Sequence, residues 1–226
     1  MSAARAIEIT LPDGSTVSGL FQRPDAARAL YVFAHGAGAG MTHRFMAAFA
    51  DGLAARGIAT LRFNFPAMER GAKRPDPPAL AQAAVRAAVD AAARLAPGLP
   101  LVAGGKSFGG RMTSQAHAAA PLPGVRGLAF VGFPLHPAGQ PGTTRAAHLA
   151  QAPGPLLFLQ GTRDALADAA LMEAVAAPLG PRATLVMLDG ADHAFHVLAR
   201  SGRNDAQVLA EALDAFAAWI DRLAPG

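Results

Sequence analysis

The feature that most constrains this chain is a repeated alternation of short apolar runs with longer, Ala-rich segments of helical character. Strand-like runs fall at 29–34, 58–64, 100–104, 127–132, 155–160 and 184–188, and several are apolar at consecutive positions, as in Leu128-Ala129-Phe130-Val131 and Leu156-Leu157-Phe158-Leu159. A strand apolar on successive residues buries both faces, the state of a parallel strand covered by helices on each side. Segments 43–56, 78–95, 108–119, 144–150, 166–177 and 205–222 supply the helices. The last carries the clearest stripe, Leu209, Leu213, Phe216 and Ile220 at helical spacing, with Trp219 beside it. Strand–helix repetition demands right-handed crossovers and an open, doubly wound sheet. Ahead of it, runs 6–11 and 16–22 flank Pro12-Asp13-Gly14, a turn signal, and predict an antiparallel hairpin. The expectation is an α/β fold with about eight strands, mostly parallel, and helices on both faces.

The 226 residues suit one domain, 1–226. No internal repeat is visible. Pro-rich patches at 75–78 and 121–123 read as loops, and the longest irregular stretch, 133–143, is too short for a separate lid domain. With no cysteine, the chain has neither disulfides, zinc-thiolate or iron–sulfur sites nor a cysteine nucleophile, and its compartment is left open. Lysine occurs only at Lys73 and Lys106, and the arginines behind the net charge of +4 are scattered, which argues against a nucleic-acid partner. The start of the chain has no apolar export region, and no apolar stretch approaches the roughly 20 residues of a membrane span. A cytoplasmic protein without membrane contact, cofactor or metal is the default expectation; its oligomeric state is open.

Gly105-Lys106-Ser107-Phe108-Gly109 matches G-x-S-x-G, a pattern that composition alone yields in about one chain in fifteen. Context sharpens it, because the motif follows a strand-like run and precedes a helix-like one. A strand-to-helix turn there would hold the serine in a strained conformation with its hydroxyl above the sheet edge, the flanking glycines leaving room where the turn is tightest. The plainer alternative is a glycine-rich helix start capped by Ser107. A phosphate-binding loop ending in G-K-S is excluded: the required glycine position holds Pro100, and the preceding residues are strand rather than loop.

A serine nucleophile needs a base and a group to orient it. The run 155–161 leads to Thr162-Arg163-Asp164, and the run 183–190 to Ala191-Asp192-His193. The order Ser107, Asp164, His193 puts each at the carboxyl end of a successive strand. His193 would take the serine proton and Asp164 would fix the imidazole tautomer. Asp164 could instead cap the following helix; Asp168 competes for its role, His196 competes with His193, and Asp189 and Asp192 read as turn residues. Small residues in Ala34-His35-Gly36-Ala37-Gly38-Ala39-Gly40 let backbone amides approach a developing oxyanion, with the amides of Phe108 and Ala37 as donors. A dinucleotide site is excluded there by the glycine spacing and by the missing acidic ribose ligand.

These residues resemble the α/β-hydrolase superfamily, in its dienelactone-hydrolase-like branch. More narrowly, the chain is similar to the α/β-hydrolase domain of the NSL chromatin-complex regulatory subunit and its bacterial relatives. The matching stretches are H-G-A-G-A-G-M at 35–41, R-F-N-F-P at 62–66, M-E-R-G at 68–71, G-G-K-S-F-G-G-R at 104–111, G-F-P-L-H-P at 132–137, L-Q-G-T-R-D at 159–164 and D-G-A-D-H-A-F at 189–195. The resemblance implies an α/β-hydrolase fold and a Ser107–Asp164–His193 triad. Two positions depart from it: Ser107 stands where true dienelactone hydrolases carry cysteine, and Ala67 stands where an aromatic residue is expected.

The resulting expectation is a serine hydrolase acting on a small-molecule ester or thioester. The alternative is an interaction protein that keeps the fold without turnover. Arg44, Arg70, Lys106, Arg111 and Arg163 fall in or beside loops at the carboxyl edge of the sheet and are candidate contacts for an anionic or polar substrate. Structural ion pairs, for example with Glu69 and Asp76, are the other reading. His35 is a candidate contact too, although its position favours bracing the loop.

Overall fold

In the computed structural model, which describes residues 3–223, eight strands join in one sheet of order β1-β2-β4-β3-β5-β6-β7-β8. The hairpin β1 (Arg5–Thr10) and β2 (Thr16–Gln22) lies at one edge, antiparallel to its neighbours. β3 (Ala29–Ala34), β4 (Ile58–Phe63), β5 (Leu101–Lys106), β6 (Val125–Val131), β7 (Leu156–Gly161) and β8 (Ala183–Leu188) are mutually parallel. Together these make an α/β-hydrolase fold, with no separate lid evident among the described residues.

The consecutive apolar runs do what their pattern requires. Side chains alternate across a strand, so Leu30, Val32 and Ala34 of β3 enter one core layer while Ala29, Tyr31 and Phe33 enter the other. β7 divides in the same way, Leu156 and Phe158 against Leu157 and Leu159. The first layer is covered by α3 (Pro78–Leu95) and α4 (Phe108–Ala119), the second by α1 (Arg44–Ala54) and α6 (Asp205–Arg222). Asn204 and Gln207 close a capping box at the start of α6, and the Phe216 ring packs tilted against that of Tyr31, their centroids 4.8 Å apart.

The helix assignments need some correction. The segment 144–150 is a 3₁₀ helix, not an α-helix: it is short, and its end is tied off by a bond from the Gln151 amide to the His148 carbonyl. Helix α5 (Ala169–Ala176) starts later than the expected 166, because Asp168 accepts from the amides of Ala170 and Leu171 and so caps it. A four-residue helix, α2 (Pro66–Glu69), was not expected; Pro66 at its first position suits a helix start. On α6 the buried stripe is rotated, with Val208 buried and Leu209 only partly so. No helix among the described residues is long and apolar enough to cross a membrane.

Candidate active site

Ser107 joins β5 to α4 with φ 51° and ψ −113°, a left-handed φ that a residue with a Cβ rarely adopts. Tight packing enforces the turn. A Cβ on Gly105 would lie 2.4 Å from the Ala34 carbonyl oxygen and 2.8 Å from the Gly109 carbonyl carbon, and one on Gly109 would lie 2.4 Å from the same Ala34 oxygen. Only glycine lets the three backbone segments touch. Ser107 occupies the cap position of α4 but makes no capping bond with its side chain; its Oγ lies 2.9 Å from His193 Nε2.

His193 Nδ1 lies 2.7 Å from Asp164 Oδ2. Asp164 is 5% exposed and also accepts from the Leu166 amide at 2.8 Å and the Gln160 side-chain amide at 2.6 Å. With the carboxylate so fixed, Nδ1 is the donor nitrogen and Nε2 faces Ser107 as acceptor. The competing residues do other things. Asp168 caps α5. Asp192 Oδ1 accepts from the amides of Ala194 and His196, which shapes the turn. His196 is exposed and pairs with Asp205 at 3.0 Å, which raises its pKa.

The loop after β3 runs past the serine, since a Cβ on Gly36 would lie 3.6 Å from Ser107 Cβ. The amides of Ala37 and Phe108 have no acceptor among the described residues. Both residues line a small cleft whose apolar wall includes Phe65, Ala67 and Met68 and whose rim carries Lys73 and Arg74.

The basic candidates divide. Arg70 donates to the buried Asp76 at 2.9 Å, and Asp76 also accepts from the Ala67 amide at 2.7 Å, so this pair pins the 70–76 loop to α2. Arg163 holds the Gly190 carbonyl at 3.0 Å. Lys106 turns inward to the His193 carbonyl. Arg111 lies over the Phe108 ring at 6.0 Å, its Nε buried without a partner among the described residues, and burial, with Arg145 adding to it, lowers its pKa. Arg44 begins α1. His35 is a brace: Nδ1 donates to the Gly36 carbonyl at 2.7 Å and Nε2 accepts from the Phe65 amide at 3.0 Å, while burial lowers its pKa and keeps the ring neutral. Both of its nitrogens are engaged, leaving none for a ligand.

Sequence reasoning missed Gln160, a polar residue ending an apolar run, and it missed Lys73 and Arg74, which no motif marks. A second serine–histidine contact exists, Ser114 Oγ to His148 Nε2 at 2.7 Å. It joins α4 to the 3₁₀ segment: Ser114 is fully buried, its Oγ donates to the Arg111 carbonyl, and no carboxylate among the described residues partners His148.

A family model described as an alpha/beta hydrolase domain matches residues 27–221. No curated protein matches the chain. Among solved structures, a dienelactone hydrolase from Anabaena variabilis superposes with TM-score 0.77 at 20% identity, covering 98% of each chain. An α/β serine hydrolase without a lid from Xanthomonas campestris gives 0.75 at 21%, covering 100% of this chain and 98% of that one. The esterase domain of a Rhodothermus marinus protein gives 0.70 at 18%, covering 97% and 98%. At such identities these likenesses establish the fold.

Proposed function

The chain belongs to the alpha/beta hydrolase domain family, and from that premise we propose that it is a serine hydrolase of small esters or thioesters. One observation carries the reading: Asp164, His193 and Ser107 are joined by hydrogen bonds of 2.7 and 2.9 Å, with the serine at a strained φ. Ser107 Oγ attacks the substrate carbonyl carbon as His193 Nε2 takes its proton, and Asp164 stabilises the imidazolium. The amides of Phe108 and Ala37 receive the oxyanion. His193 then protonates the departing alcohol or thiol, and water repeats the sequence on the acyl-serine to release a carboxylic acid.

The cleft beside Ala37 and Phe108 is small and walled by Phe65, Ala67 and Met68, which favours a small substrate. Lys73 and Arg74 have no carboxylate partner among the described residues, so the rim favours a substrate with a negative charge. The full chain should react with a fluorophosphonate probe at Ser107 and hydrolyse a p-nitrophenyl ester. Ser107→Ala should abolish labelling and lower kcat by roughly 10⁴- to 10⁶-fold. Labelling that persists in Ser107→Ala, or its absence in the parent chain, rejects the reading.

A further inference from the structure

Lys106 is the last residue of β5 and the neighbour of Ser107, and its side chain reaches the turn that carries His193 and Phe195. Its Nζ donates to the carbonyl oxygen of His193 and lies 5.7 Å and 5.3 Å from the ring centroids of Phe45 and Phe195. Gly132 makes the room: with φ 68°, a Cβ there would lie 2.7 Å from Nζ and 3.4 Å from His193 Cε1.

The turn that Lys106 grips is strained. Phe195 has φ 65°, a left-handed conformation that a side chain with a Cβ rarely adopts. Asp192 shapes this turn from within. Apart from the His193–Ser107 contact itself, the Lys106 bond is the only hydrogen bond among the described residues that ties the 192–196 turn to the strand bearing the serine.

We propose that Lys106 is a positioning residue, whose ammonium fixes the main chain at His193 to the end of β5 and so sets the reach of the imidazole to Ser107 Oγ. The proposal rests on the serine-hydrolase reading. Stability alone is a poor reason for a lysine here. Burial lowers its pKa from 10.5 to about 8, and Asp164 and Asp192 only partly oppose the shift, so folding disfavours the charged form. An unbranched apolar side chain such as methionine would fill the aromatic slot without that cost. It could not hold the carbonyl.

The test compares the full chain with Lys106→Met and Lys106→Arg, in three readouts. Lys106→Met should lower kcat for a p-nitrophenyl ester at least tenfold, leave KM within about twofold and leave the melting temperature equal or higher. Lys106→Arg keeps a donor and should hold kcat nearer the parent value, which keeps the proposal testable should methionine impair folding. The third readout needs no turnover: the downfield Nδ1–H proton resonance of His193 should be sharp in the parent and shifted or broadened in Lys106→Met. Unchanged kcat and resonance in a folded Lys106→Met overturn the proposal, as does a loss of kcat that only tracks a fall in melting temperature. If the parent is neither labelled at Ser107 nor active, the hydrolase reading has failed, and the His193 resonance still decides the role of Lys106.

Discussion

Gln160 and His193 share one oxygen of Asp164: the glutamine amide donates to Oδ2 at 2.6 Å and the imidazole Nδ1 at 2.7 Å. The glutamine is itself fixed, because its Oε1 accepts from the Phe133 amide at 2.9 Å. It therefore aims the carboxylate. Gln160→Leu should strand the Phe133 amide and free Asp164 to rotate, at a cost of about 1–3 kcal/mol in urea unfolding. Ester turnover should fall too, by less than the roughly 10⁴-fold expected for Asp164→Asn, which removes the anion itself.

Gly109→Ala tests the packing at the nucleophile turn. Its new Cβ would meet the backbone oxygen of Ala34 at 2.4 Å, and backbone cannot step aside as a flexible side chain can. The expected loss is roughly 1–3 kcal/mol in thermal unfolding, with turnover falling further because the Phe108 amide moves with the turn. Gly38→Ala is the contrasting variant: nothing lies within 4 Å of its Cβ, so only its positive φ of 76° opposes the change and the loss should be smaller.

Acid should weaken the fold through buried histidines. Burial, with Arg111 adding to it, pushes His148 down from 6.5 to about 4, and burial lowers His35 and His117 as well. Above pH 6.5 these groups are neutral in both states and impose no penalty. As pH falls from 6.5 toward 4 the unfolded chain binds protons that the fold refuses, so stability declines. Urea titrations at pH 7 and pH 5 should show the decline, and His148→Gln should reduce it.

The rim is tested by charge. If Lys73 and Arg74 select a negative substrate, a p-nitrophenyl hemisuccinate should have a lower KM than a neutral ester of equal length. Replacing both residues by alanine should remove roughly tenfold of that advantage and leave the neutral ester unaffected. Salt should erode the preference in the parent chain. Equal KM values for the two esters at low salt would reject the assignment.

The fold was legible because its strongest signal is local. Runs such as Leu156–Leu159 bury both strand faces, and the two core layers divide their residues alternately. Ser107, Asp164 and His193 were legible because each follows a strand, and chain order fixes which loops meet at one edge. The basic side chains were not. Position put Arg70, Lys106 and Arg163 near that edge, but a long side chain can turn to any acceptor within reach. Asp76, the His193 carbonyl and the Gly190 carbonyl captured them. Segment 144–150 misled for a related reason: Ala-rich composition does not separate α from 3₁₀ geometry in a piece so short.

His193 follows β8, the outermost strand at its end of the sheet, with five of its six residues only partly buried. Ser107 follows β5, which is flanked on both sides. Heat that frays the border strand would therefore carry the base away while the interior still holds the serine in place. On the serine-hydrolase reading, such a molecule would stop working before it melts, and on cooling it would regain function by re-zipping one strand rather than by folding anew.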